Sequence, residues 1–413
     1  MSTVASASDP RIIVGAMMLD GRGDVYAAKK IADLLERRGF DTGFAVFKLR
    51  NEDFRRQLQQ DQTVEAIQTQ ERNWVILDGD EMLRRGWNND CDLMILFPNM
   101  ALIDFGLTTF PREKMILFSE YSCPDRCPAN PTIPLYTLGL GDDEEGILLP
   151  EAPLELPSTS ATSTERLAKL RETQPALAAK ILHREELDSS SELFFAYFAT
   201  EFYFSHFVQT VFQLASDKSH IVIVTSKPCI IQDAEHLLEF GQNLEGLKQI
   251  EFISSDSTLS TRLFDENQNR TIKIISTSLN CSELDSIIAA SADEVLATGD
   301  SSWIELMAAN KVVVYDPRAH KRPSAMHMAN LLHQTSPILA DLMKQAYLGD
   351  PTYHNAWVLQ FDRIGISMLP FLETLRSDPQ AREHWKTLVR KIFTHNAADK
   401  IAIIVRQHLP PSS

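Results

Sequence analysis

The chain is poor in cysteine, in positive charge and in unbroken apolar runs, and each shortage argues against a class of protein. Its 413 residues include five cysteines, an odd number without regular spacing. No disulfide framework is expected, and the thiols read as small residues of a protein kept in a reducing compartment. Cys123 and Cys127 bracket Pro-Asp-Arg, but no second pair or nearby histidine completes a four-ligand zinc site, so no metal is expected. Lys and Arg number 40 against 56 Asp and Glu, a formal charge of −16. A surface of that sign opposes broad phosphate-backbone binding, and nucleic acid is not an expected partner. The most apolar long segment, 193–215, contains Glu201, His206, Gln209 and Gln213, which argues against a membrane span. Residues 1–10 are polar and small, with no basic stretch leading into an apolar one. A secretory signal is not expected and the cytoplasm is the default compartment, specialised export aside.

What the chain does have is core and rhythm. An apolar fraction of 44% with 23% charged residues is that of a globular protein, and 413 residues suit two domains. Apolar runs at 11–17, 42–47, 74–77, 93–97 and 115–118 read as buried strands. After the first comes a turn, Asp20-Gly21-Arg22-Gly23-Asp24, then Val25, Ala28, Ile31, Ala32 and Leu35 at helical spacing, with Gly39 where the helix would stop. Strand, helix, strand in repetition implies a parallel sheet covered on both faces. Between 141 and 191 the sequence turns acidic, proline-spaced and Ser/Thr-rich, with one polar helix over 165–183, as an inter-domain region would. The alternation then restarts. Strands are expected over 193–198, 220–225, 250–253, 271–276, 294–297 and 311–315, with helices over 201–214, 232–240, 283–290 and 303–309. An amphipathic helical tail follows over 379–407. The expected fold is α/β, with a Rossmann-like domain and linker over 1–190, a second Rossmann-like domain over 191–377, and a helical tail over 378–413.

Ligands of open parallel sheets bind beyond the carboxyl ends of the strands, and two segments fall there. One is Thr298-Gly299-Asp300-Ser301-Ser302-Trp303-Ile304-Glu305. Glycine allows a tight turn, and free amides at the helix start, with two hydroxyls, suit a diphosphate. Glu305 lies one turn on, where a carboxylate can accept from ribose hydroxyls. The same residues also suit a plain cap, with Asp300 or Ser301 capping and Glu305 completing a capping box. The other segment is the turn after the first strand, where Asp20 is the favoured general base and Asp24 suits either that role or an N-cap.

The stretch from Ser291 to Asp316 resembles the donor-site signature of GT-B glycosyltransferases. That resemblance implies two tandem Rossmann-like domains facing a central cleft, with Gly299, Asp300, Ser301 and Ser302 at the donor phosphates and Glu305 at the ribose. The usual Gly-Lys-Pro after the helix is here Ala309-Asn310-Lys311-Val312, a departure from the pattern. The turn at Asp20 and the run Leu193-Phe-Phe-Ala-Tyr197 are also similar to the protein-arginine rhamnosyltransferases of elongation factor P. In that family an aspartate of the first loop is the base. Tyr197 ends the opening strand of the second domain, where an aromatic suits either the donor or hinge packing. After the last strand, Arg318, His320, Lys321 and Arg322 place positive charge towards the diphosphate or simply form an exposed loop.

The function implied is transfer of a sugar from a nucleoside diphosphate-sugar to an acceptor left open among a protein, a glycan and a small molecule. No cofactor or metal is expected, because no Asp-x-Asp ends a strand of the second half. A sugar-nucleotide epimerase and a non-catalytic two-lobed binding protein are the alternatives. A dinucleotide oxidoreductase fits less well, since only Gly21 and Gly23 of a Gly-x-Gly-x-x-Gly run are present.

Overall fold

A computed structural model describes residues 11–17, 23–47, 74–77, 91–97, 110–119, 121, 133–150, 162–181, 190–225, 241–242, 244–254, 259–317, 321–349 and 366–410. The chain forms two compact units, Met1–Leu149 with Ile392–Ser413, and Pro150–Lys391.

The first unit is built on β1 (Ile12–Met17), α1 (Gly23–Arg37), β2 (Thr42–Phe47), β3 (Trp74–Leu77), β4 (Leu93–Phe97), β5 (Met115–Ser119) and β6 (Leu135–Thr137). All pairings are parallel, in the order β3-β2-β1-β4-β5-β6, which is Rossmann-like. α1 buries Val25, Ala28, Ile31, Ala32 and Leu35 against the sheet, as its spacing requires. It ends where Gly39 takes φ 82° and Phe40 N–H reaches Leu35 O at 3.1 Å.

The second unit starts with α2 (Ser163–Thr173) and α3 (Pro175–Ile181). The single helix expected over 165–183 is thus two, because Pro175 lacks the N–H that a continuing helix needs. Then follow β7 (Ser191–Ala196), α4 (Glu201–Leu214), β8 (His220–Thr225), β9 (Leu247–Ile253), β10 (Leu259–Leu263), β11 (Arg270–Ser276), α5 (Cys281–Ala290), β12 (Glu294–Ala297), α6 (Asp300–Ala308) and β13 (Val312–Tyr315). Helices α7 (Arg322–His333), α8 (Pro337–Leu348), α9 (Leu369–Ser377) and α10 (Pro379–Thr394) complete it. The sheet order is β10-β9-β11-β8-β7-β12-β13, with β10 antiparallel to β9 and the other pairings parallel. The expected helix over 232–240 lies outside the described residues.

Aromatic side chains tie the helices of this unit to its sheet. Trp303 of α6, Tyr315 of β13, Tyr347 of α8, Phe371 of α9 and Trp385 of α10 meet in sequence, with ring centroids 6.0–6.4 Å apart. All five are buried. Such contacts add about 0.5–1.5 kcal/mol each beyond the area they bury.

Charged groups are buried at the amino ends of the same strands. Arg376 bridges Glu192 of β7 at 3.2 Å and Glu294 of β12 at 3.3 Å, and also donates to Leu214 O at 2.8 Å. Burial pushes the Glu294 carboxyl up, and Arg376 opposes it. Lys311, just before β13, donates to Ser291 O at 2.9 Å and Ala292 O at 3.1 Å, and burial lowers its pKa to about 8.

The expected tail over 379–407 is two helices with different allegiances. α10 belongs to the second unit except for its last residues, and α11 (Ala398–His408) belongs to the first. Between them the backbone locks onto residue 147: Ile147 N–H reaches His395 O at 2.7 Å, and Ala397 N–H reaches Ile147 O at 2.9 Å. α11 is held further by Tyr136 Oη to His408 Nε2 at 2.7 Å and by Arg38 to Asp399 at 2.5 Å. Gly146 sits at φ 99°, and a Cβ there would lie 2.4 Å from His395 O. The first unit therefore closes only with α11, a division that differs from the boundaries read at 190 and 378.

Two stability predictions follow from these contacts. Gly146→Ala should cost on the order of 2–3 kcal/mol, from left-handed strain plus the clash with His395 O, seen as a lower melting temperature. Arg376→Ala should cost about 3 kcal/mol near pH 8, because it strands two buried carboxylates. Glu294 already has its folded pKa raised above 4.5, so its ionised form opposes folding as pH rises through that folded value. Without Arg376 the pKa climbs further, and the deficit of the variant should shrink as the pH is lowered towards 5 in denaturant titrations.

Candidate functional site

The second sheet changes its building direction between β7 and β12. From β7 the chain adds β8, β11 and β9 on one side, then returns to add β12 and β13 on the other. Neighbouring strands whose connections leave in opposite directions open a crevice at their carboxyl ends. Leu296 pairs with Ala196, and Tyr197 N–H donates to Leu296 O at 2.9 Å, so Tyr197 and Thr298 leave the sheet side by side. Tyr197 is 36% exposed at that crevice rim, while Phe198 after it is buried.

Gly299 turns the chain into α6. Its φ of 81° and ψ of 148° suit glycine alone, and it is the N-cap. No side chain caps the helix. The capping reading of this segment is thereby corrected: Asp300 and Ser301 lie inside the helix, and Glu305 stands too far along it to close a capping box with Gly299. The other described helices at this end differ. α4 is capped by Thr200, α5 by Asn280, and α7 has proline in its first turn in place of a donor. A Cβ on Gly299 would meet nothing within 4 Å, so the space before the helix is open. Gly299 thus offers the leading amides of α6, which carry the dipole's positive end, no side-chain cap. Ser301 and Ser302 are half-buried in the first turn and Glu305 is exposed in the next. Trp303, buried beneath them, fixes the helix to the core.

One buried carboxylate organises the rim. Asp316 follows β13, fully buried, and accepts from the N–H groups of Ala199 at 2.8 Å and Thr200 at 2.9 Å. Its own N–H donates to Ala297 O at 2.7 Å, and its carbonyl accepts from Thr298 Oγ1 at 3.0 Å. The loops after β7, β12 and β13 therefore meet at one residue. Asp316 is not singled out by the sequence reading, although an acid directly after a fully apolar strand and before Pro317 is the available signal. Asp285 of α5 is also new: burial pushes its carboxyl up, and the Glu305 carboxylate pushes it further, which places the two acids near each other.

The other expected residues are placed as follows. Lys321 is the N-cap of α7 and its side chain is buried. Arg322 donates to Leu348 O at 2.8 Å. Asp300 opens α6 and Asp24 stands in the first turn of α1, but their side chains lie outside the described structure, as do Asp20, Arg318 and His320 and the pair Cys123 and Cys127. In the first sheet the corresponding change of direction falls between β1 and β4; Asp20 belongs in sequence to the segment between β1 and α1, outside the described residues. Among the described residues no group of His, Cys, Asp and Glu is placed to hold a metal ion, and no helix is long and apolar enough to cross a membrane. A shallow dent on α2 and α3, lined by Arg171, Pro175, Ala178 and Ala179, carries no comparable chemistry.

No protein-family model matches the chain, and no curated protein matches its sequence. Solved structures do match it. A glycosyltransferase from Rickettsia africae aligns over 97% of this chain and 99% of its own, with a TM-score of 0.52 at 10% identity. A UDP-N-acetylglucosamine 2-epimerase from Listeria monocytogenes (97% and 96%, TM-score 0.47, 12% identity) and MurG from Acinetobacter baumannii (96% and 100%, 0.45, 10%) are also similar. The first likeness spans both units, and with their parallel topologies it gives the fold as GT-B. At such identity it speaks for the fold alone.

Removing the Asp316 carboxylate leaves two backbone donors without their acceptor. Asp316→Ala should cost about 2–4 kcal/mol, and Asp316→Asn, which retains one acceptor oxygen, clearly less; chemical denaturation of both variants checks the order.

Proposed function

We propose that the protein is a glycosyltransferase that takes a sugar from a nucleoside diphosphate-sugar and passes it to an acceptor. The observation that carries this reading is the open, uncapped start of α6 at the point where the second sheet changes direction. Negative charge grows on the diphosphate as the sugar departs. The leading amides of α6, from Asp300 to Ser302, and the Ser301 and Ser302 hydroxyls are proposed to meet it, already oriented before the reaction. Gly299 lets the phosphates come close to the backbone. Glu305, exposed one turn along, is proposed to accept from the ribose hydroxyls, and Tyr197 to lie against the donor. His320 is proposed to bring positive charge to the same phosphates, with Lys321 acting as a charge behind the site because its side chain is buried. Asp20, or Asp24 in its place, takes the proton of the attacking acceptor group. The reading needs no metal and no cofactor: the diphosphate charge is met by amides, hydroxyls and cations of the chain. The acceptor is proposed as a protein, a glycan or a small molecule of the cytoplasm.

Thermal shift against uridine, guanosine, thymidine and adenosine diphosphates tests donor binding. A saturating diphosphate should raise the melting temperature by about 5 °C, and Glu305→Ala should weaken the preferred one by about tenfold or more. Asp20→Asn and Asp24→Asn should keep the shift, and the true base should lose at least about a hundredfold in sugar transfer. A shift produced by reduced nicotinamide dinucleotides alone would overturn the proposal. Free nucleotide and an epimerised sugar without acceptor would favour an epimerase, and tight binding without turnover a binding protein.

A further inference from the structure

The hairpin edge of the second sheet fits a second copy of this chain. β10 is the terminal strand on its side and is hydrogen-bonded to β9 alone among the described residues. Phe264, directly after β10, donates its N–H to Lys248 O at 2.9 Å, one step beyond the pairing of Leu263 with Gln249. Hydrogen-bonded and non-bonded pairs alternate along an antiparallel ladder, so Phe264 sets the phase. Ser260 and Arg262 bond inward to β9, while Leu259, Thr261 and Leu263 turn their N–H and C=O groups to the open edge. The side chains of those same three residues share one face, where Leu259 is 58% and Leu263 52% exposed.

An edge of this kind is a template for another strand, and neither proline nor lysine interrupts β10 to block it. Its sequence, Leu259-Ser260-Thr261-Arg262-Leu263, is self-complementary about Thr261. A two-fold axis there sets Thr261 against Thr261 of the second copy, Leu259 against Leu263, and Ser260 against Arg262. Both leucines gain an apolar cross-strand partner, and no like charges stand opposite one another. The pairs formed by the outward-facing residues are the hydrogen-bonding ones on both copies. We propose that the protein forms a two-fold dimer by antiparallel pairing of β10 with β10, joining two seven-stranded sheets into one.

Sedimentation of the full chain should show a dimer dissociating on dilution. In a hydrogen-bonded antiparallel pair the Cα atoms lie about 5.5 Å apart, within disulfide reach. Thr261→Cys should therefore cross-link to a dimer on mild oxidation, while Arg262→Cys and the unmodified chain should not. Thr261→Pro removes only an outward N–H, so it should leave circular dichroism unchanged and weaken the dimer at least about tenfold. Should that variant fail to fold, the pair Leu259→Lys with Leu263→Lys gives the same readout from exposed side chains. The proposal is overturned if the unmodified chain is monomeric, if a folded dimer survives these substitutions, or if Arg262→Cys cross-links as readily as Thr261→Cys.

Discussion

The arrangement of the candidate site depends on a sheet that reverses its order of assembly and on the carboxylate that holds the reversal closed. β7 and β12 are adjacent, yet the segments that follow them run off in different directions. Left to themselves, such loops would be exposed backbone with several ways to lie. Asp316 removes that freedom by accepting from Ala199 and Thr200 while its main chain engages Ala297 and Thr298. Thr200 in turn caps α4, so the same residue that receives this tether satisfies a helix end. Among the described helices of this rim, α6 alone begins with neither a side-chain cap nor a proline. The contrast matters because unpaired helix amides are ordinarily given a partner. Here the fold spends a glycine to keep the approach open.

Polar groups are divided between the two ends of the second sheet. At the amino ends lie two groups whose titration burial disturbs, Glu294 and Lys311, packed with Glu192 and Arg376. Disturbed titration is often a mark of active sites, but ion pairs that serve the fold produce it as well. Topology decides between the two cases: ligands gather where strands end, and these groups lie where strands begin. The carboxyl ends instead offer amides, hydroxyls and the neighbouring acids Glu305 and Asp285.

Much of this was legible in the residues themselves. Strands buried on both faces read as plain apolar runs, and β2, β3, β4, β8 and β12 fall on the stretches read from sequence. The position of α6 after β12 was likewise apparent from the glycine between an apolar run and two serines. Three things were not. β10 has its outer face and edge exposed, so it lacks the apolar density by which the other strands were recognised. Asp316 is a single acid whose partners are backbone groups more than 100 positions earlier, which no local pattern encodes. The tail read as one helical stretch because α10 and α11 are both amphipathic; only the backbone pairing of Ile147 with His395 and Ala397 shows that their apolar faces serve different cores.

That pairing makes the second unit an insertion within the first, bounded by residues 149 and 392. A ribosome delivers the inserted unit entire before it delivers α11. The later-numbered unit is thus free to mature while the earlier-numbered one still waits for its final helix. A chain released shortly before residue 392 would carry a finished second core and an open first one, with the surface meant for Ile401, Ala402, Ile404 and Val405 uncovered. The order of synthesis and the order of completion are reversed, and α11 acts as the closing step for the unit that begins with β1.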